Sequence, residues 1–477
     1  MKGDFSRDSF DPHRHFTQVL MQQGRVQLDA DWNEQVAILQ HYLRTLAADL
    51  IGPFGGPAAD LGFGVVTDPA AVEAMTDRLG RPLTTERVAA LKKRLADGDF
   101  VIGTGRYYVD GFLCENDEPV TFGEQLGYPF DTDTTLEELR GVNGFLLYLD
   151  VWERHLSAGE SPDLLEVALG GPDTASRAQL VWQVRVLRGD AALACQDVGT
   201  LTRPAPPLLR ARAAQPATQP DACVIDPAAR YRGAENQLYR VEIRRGGPAR
   251  AAGTTASGAT FVWSRENGSV VFPVTNLADD SRAGETTVTL ATLGRDRRAG
   301  LAPGEWVEVV DDASVLRGAA EPLRQVDRID ADELTVVLAG LGTSGTGRNP
   351  ALHPVLRRWD HDASDPDRSE AGALLVTESA AAGTGWIDLE DGVQIQFPAF
   401  AVGGPHDYRT GDYWLVPART ATGDVVWPRV QSGDDVEWEA RAPHGVEHHY
   451  APLAVASMDG NGFLTIEAPD CRVTITP

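Results

Sequence analysis

The stretch FVIGTGRYYVDGFLCEN, Phe100–Asn116, decides the architecture. β-favouring residues flank Asp110-Gly111, a dipeptide that supplies the positive φ angles of a two-residue hairpin turn. Further along, GFLLYLDVWERHL (144–156) is an apolar run with little alternation, as in a strand buried on both faces. AQLVWQVRVL (178–187) places Leu180, Trp182, Val184 and Val186 on one face of another strand. These strands are expected to share one sheet. On the N-terminal side, TTERVAALKKRLADG reads as a helix, with a Thr cap, Val88, Leu91 and Leu95 on one side and Gly98 past its end.

The pattern stays β-like downstream. LTRPAPPLLRARAAQPATQPD (201–221) is proline-rich and without period, as expected of a linker or surface strap that does not join a sheet. NQLYRVEIRR and ATFVWSRENGSVVFPVTN give three short strands around an Asn267-Gly268 turn. TTVTLATLG, GEWVEVVDD, LRQVDRID and ELTVVLAG then alternate between turns, which predicts a small barrel or sandwich of its own. GWIDLEDGVQIQF, GDYWLVPART and PLAVASM complete a C-terminal β region. The reading is α+β, predominantly β: an N-terminal arm and helix (1–52), an α+β domain with an antiparallel sheet (53–200), the strap (201–221), a β region (222–278), a barrel or sandwich module (279–345) and a C-terminal β domain (346–477).

Composition narrows the function. With 69 acidic against 43 basic residues and a formal charge of -26, the chain is a poor candidate for wrapping nucleic acid or an anionic membrane. Its four cysteines contain no CxxC pair, and a reduced compartment is the default reading. Should the protein meet an oxidising space, Cys195 and Cys223 are candidates to bridge across the strap. The opening MKGDFSRDSF lacks the apolar core of a signal peptide, and no run of about eighteen apolar residues suggests a membrane span.

Near the start, VLMQQGRVQLDADWNEQ (19–35) combines a Gly-centred turn, two aspartates and a tryptophan. Asp29 and Asp31 are good helix N-caps, and Glu34 stands three residues after Asp31, as in a capping box. A short strand is expected at Arg25–Leu28 and a helix after it. Trp32, Val36, Leu39, Leu43, Leu46 and Leu50 then recur at steps of four and three until Gly52-Pro53. Such a seam either pairs with the same helix of a neighbouring subunit or lies on the chain's own core.

Several constellations suggest chemistry. HGVEH, His444–His448, matches the inverted zinc-protease pattern, but Pro443 and Gly445 argue against the helix it requires. His449, His406 and Asp407 are the residues that would extend such a metal cluster. Asp360, Asp362, Asp365 and Asp367 crowd one loop without the Gly and Glu positions of an EF-hand. Adjacent acid pairs, Asp311-Asp312 and Asp434-Asp435, point to opposite strand faces and do not form a glycosidase pair. Neither a phosphate loop nor a nucleophile elbow is present. No catalytic, cofactor or metal residues are therefore assigned. Trp152, Trp182, Trp263, Trp306, Trp359, Trp386, Trp414, Trp427 and Trp438 are either core packing or a glycan-stacking platform.

MKGDFSRDSFDP, VLMQQGRVQLDADWNEQ, GRYYVDGFLCEN, ALGGPDTASRAQLVWQVRVL, ENQLYRVEI, FVWSRENGSVV, PGEWVEVVDD and YRTGDYWLVPARTATGDVVWP together resemble a bacterial family of uncharacterised function, whose members tend to be encoded near phage-tail-like contractile injection systems. GRVQLDADWNE is also similar to a shorter pattern near the N-terminus of some phage baseplate and tail-fibre proteins. The resemblance implies a non-enzymatic structural component at the baseplate or fibre-attachment level. It would be made without a signal peptide, join a tail-like particle that acts outside the cell, and have other tail proteins or further copies as partners. Its assembly interface would comprise Arg25, Asp29, Asp31, Trp32, Val36, Leu39, Leu43, Leu46 and Leu50. From the ending DCRVTITP, where no further receptor-binding or enzymatic domain is read, the chain is not expected to be the host-recognising tip itself. The alternatives are a carbohydrate-binding or glycan-cleaving surface module, for which a glycan is the partner, and a zinc hydrolase using His444, Glu447 and His448.

Overall fold

The computed structural model describes residues 1–130, 134–189, 193–202, 206–214, 230–250, 257–294, 296, 298–318, 320–342, 344–381, 383–399, 406–432, 435–467 and 470–475. Its architecture is predominantly β, with three main hydrophobic cores and a long N-terminal helix, α1 (Asp29–Ile51).

The first core lies between two sheets. Gly105–Val109 and Phe112–Asn116 form the expected hairpin, with Asp110 at φ 47° and Gly111 at φ 81°. Phe145–Leu156 and Arg177–Leu187 pair antiparallel over their whole length. The hairpin does not join their sheet, contrary to expectation. It pairs with Phe54–Pro57, and the two sheets bury Tyr107, Val109 and Cys114 against Leu147, Leu149, Val151 and Val184. The third strand of the longer sheet is His449–Met458, and Thr474–Ile475 adds to the hairpin sheet in parallel. Stretches read as separate N-terminal and C-terminal domains thus share both sheets.

Cys471 stands beside these returning strands, and its partner is Cys195, at a Cα–Cα distance of 5.5 Å. The pairing considered from sequence, Cys195 with Cys223, is therefore corrected; Cys223 lies outside the described residues. Pairing across 276 residues carries no local signal, because it depends on where the chain's last strands return. Cys114 is free and buried, and burial pushes its thiol up to about 12.

In the second core a six-stranded sheet, with Gln237–Arg245 between Thr260–Ser264 and Tyr413–Arg419, faces Val393–Pro398 and its neighbours. Arg210–Ala213 pairs with Val393–Gln396, so part of the strap does ladder into a sheet. Residues 208–214 contain no proline, which leaves their N–H groups free to pair.

The third core fills a closed six-stranded barrel of Val271–Asp280, Glu285–Leu290, Trp306–Val310, Arg324–Asp330, Thr335–Ala339 and Val355–Trp359. The predicted barrel module is present and extends beyond 279–345 at both ends. Asn267-Gly268 adopts the expected positive φ angles, 53° and 67°, but connects two sheets instead of closing a hairpin. Asn267 is fully buried, and its Nδ2 donates to the Gly3 carbonyl at 2.9 Å, pinning the start of the arm.

The helix Thr85–Ala96 forms as expected. Thr84 Oγ1 accepts from Arg87 N at 3.2 Å, while Leu91 and Leu95 are buried. No helix among the described residues is long and apolar enough to cross a membrane.

Candidate assembly surface

The arm has no strand at Arg25–Leu28. Arg25 is exposed and closes a turn to the Gln22 carbonyl at 3.3 Å, with Gly24 at φ 71°. The predicted strand fails because nothing pairs with its edge: the arm follows the helix instead. Ser6 N donates to Asp29 Oδ2 at 2.8 Å, Ser9 Oγ to Glu34 Oε2 at 2.6 Å and Val19 N to Gln35 Oε1 at 2.8 Å. Burial opposes ionisation of Asp29, but its hydrogen bonds with Ser6 outweigh this and hold the carboxyl below its usual range.

The capping box lies three residues earlier than the Asp31–Glu34 pair expected from sequence. Leu28 is the N-cap residue, and Asp31, at the third helical position, accepts from Leu28 N at 3.3 Å. Asp29 and Glu34, expected as cap and box partner, bind the arm instead. In its fifth turn α1 crosses the hairpin: Arg44 Nη2 meets Glu153 Oε1 at 2.8 Å, and its guanidinium lies 3.9 Å from the Phe112 ring centroid. Gly111 makes the crossing possible, since a Cβ there would lie 2.2 Å from the Arg44 carbonyl oxygen.

The orientation of α1 inverts the usual rule for a surface helix. Small residues face inward: Ala30 is buried, and Ala37, Ala47 and Ala48 are half-buried. Ile38 is the one large residue of α1 that is buried. The entire seam is exposed, with Trp32 at 72 %, Leu43 at 60 % and Leu50 at 76 %, and Val36, Leu39 and Leu46 exposed beside them. Of the two placements open to the seam, its own core is excluded. Leu20, Met21 and Val26 of the arm are also exposed, so apolar surface continues off the helix. Contiguous patches of this kind mark interaction sites.

The other constellations resolve structurally. HGVEH forms no helix: His444 is solvent-exposed, and its N donates to the Tyr413 carbonyl at 2.7 Å. His448 Nδ1 pairs with Asp150 at 2.7 Å, His449 Nδ1 with Asp110 at 3.0 Å and His406 Nδ1 with Glu378 at 2.8 Å. Among the described residues no three such side chains converge as a metal site requires. In the acidic loop, Asp360 lies 3.2 Å from Arg358 Nε, while Asp362 and Asp365 cap local turns. Trp152, Trp263, Trp359, Trp414 and Trp427 are buried in the protein interior, and Trp386 and Trp438 meet edge to face beside Arg212.

Sequence reading missed one cluster: Arg240, Glu242 and Arg244, with Glu308 and Arg357, all buried between the cores. The available signal was YRVEIRR, charged at every second position. That pattern normally marks the solvent face of a strand.

The fold and surface define a class: a multi-core β protein that holds an apolar heptad helix against its body with the seam facing outward. The chain belongs to a family of unknown function (DUF6519), which matches residues 1–203 and 191–465. No curated protein and no solved structure matches it.

Proposed function

We propose that this protein is a non-enzymatic assembly component that associates through α1 and the arm, and that the partner helix is α1 of a second copy. The observation that carries this reading is the outward-facing seam, whose leucines are 42–76 % exposed, so that covering them on association removes apolar surface from water. The spacing favours self-pairing, because steps of four and three are those of facing helices in a coiled coil. Charge favours it as well. Despite the net charge of -26, residues 35–48 contain no Asp or Glu, so two copies can approach along this stretch without like-charge repulsion. The resemblance of the arm to baseplate and tail-fibre proteins supports a place in a phage-tail-like contractile apparatus, at the baseplate or fibre-attachment level.

The double substitution Leu39→Asp and Leu43→Asp tests the reading. Both side chains are solvent-exposed, so the β cores are expected to keep their circular dichroism and melting temperature while association is lost. Intact association of the variant would overturn it.

A further inference from the structure

Where the three cores meet, a cavity of about 340 Å³ is lined by strand Gln237–Arg245, the barrel, the end of Phe145–Leu156 and the segment 444–449. Its wall reverses the charge balance of the chain. Eight Lys and Arg residues line it against five Glu, whereas the whole protein has 43 basic and 69 acidic residues.

The buried part of this wall is a network. Lys2 Nζ lies 3.0 Å from Glu242 Oε1, and Arg240 Nε lies 2.5 Å from Glu242 Oε2. Arg244 contacts Glu308, and Arg357 reaches Glu308 at 3.5 Å and Glu160 at 3.8 Å. Four cationic side chains thus share three carboxylates. Arg244 and Arg357 are each at most 9 % exposed, and each keeps one buried guanidinium nitrogen without a hydrogen-bond partner among the described residues. An unsatisfied buried donor on a charged group is costly, and a bound acceptor removes the cost. Burial, with Arg357 and Arg240 nearby, holds the Lys2 amine below its ordinary value even though Glu242 opposes this.

We propose that this cavity binds a small oxyanion, a phosphate or carboxylate group held by Arg244 and Arg357, which ties the three cores together. The free Arg244 Nη2 and Arg357 Nε each have an N–H to give to an oxygen of either group, which only has to accept. The site is separate from α1's seam and stands independently of the assembly reading.

Isothermal titration calorimetry on the full chain tests the proposal, using inorganic phosphate in one arm and citrate in the other, each against sodium chloride at equal ionic strength. Saturable binding at one site per chain is expected in at least one arm, and which arm responds identifies the oxyanion. Arg244→Gln and Arg357→Gln should each weaken binding by about tenfold or more. Glu308→Gln should tighten it by about tenfold, because it removes the carboxylate that competes for both arginines. General destabilisation does not produce that gain, so the Glu308 variant keeps the test decisive if an arginine variant fails to fold. Absence of saturable binding in both arms, or unchanged or weaker binding by Glu308→Gln, would overturn the proposal.

Discussion

Two helices of this protein carry apolar stripes and treat them oppositely. Thr85–Ala96 turns Leu91 and Leu95 into a small core with Val72 and Val101. By contrast, α1 turns alanines toward the body and presents its tryptophan, valine and leucines to solvent. Periodicity alone does not separate the two cases, because it specifies a stripe without saying what covers it. The difference lies in how each helix is held. The short helix is held by its packed leucines together with Arg87 on Glu124, whereas α1 is held by polar ties to the arm, by Arg44 over the hairpin and by its small residues. A helix docked by its small and polar residues keeps its large apolar residues available for a partner.

The largest contrast should come from truncating the two stripes. Leu91→Ala removes a fully buried side chain and is expected to cost about 2–5 kcal/mol in urea-induced unfolding. Leu43→Ala, measured at a concentration where the chain is monomeric, should change stability by no more than about 0.5 kcal/mol. A large loss from Leu43→Ala would show that the seam already has a partner within the chain.

Gly111→Ala attacks the docking of α1. The alanine Cβ would collide with the Arg44 carbonyl, and φ of 81° already disfavours a side chain, so a cost of about 1–3 kcal/mol is expected. Hydrogen exchange should accelerate in α1 before it does in Thr85–Ala96. Equal acceleration in both helices would mean that the hairpin turn, and not the crossing, governs the effect.

The charged interior gives a smaller, pH-dependent effect. Burial by itself would raise Glu242, but Lys2 and Arg240 outweigh it and hold the carboxyl at about 2. A folded-state value below the ordinary 4.5 stabilises the protein above that pH, and the contribution is lost as pH falls toward 2. Glu242→Gln should therefore flatten the acid limb of the stability profile between about 4.5 and 2, as followed by urea titration at each pH. An unchanged limb would place the acid sensitivity elsewhere.

Local pattern made part of this structure legible. The Asp110-Gly111 hairpin, the Thr84-capped helix, the barrel strands and the spacing of the α1 seam were all readable, because each depends on neighbouring residues. What escaped depends on contacts distant in sequence. His449–Met458 pairs with Phe145–Leu156, and Cys471 with Cys195, only because the chain's end returns to its first core. Asn267-Gly268 is a good turn dipeptide, yet the following strand pairs in the barrel. The Arg240, Glu242 and Arg244 face reads as solvent-exposed until the arm and barrel cover it.

Light scattering coupled to size-exclusion chromatography, over a range of concentrations, tests the outward seam most directly. The wild-type chain should elute as a defined oligomer, and the Leu39→Asp, Leu43→Asp variant as a folded monomer. A wild-type chain that stays monomeric at every concentration, or a variant with the wild-type mass, would contradict self-association through α1.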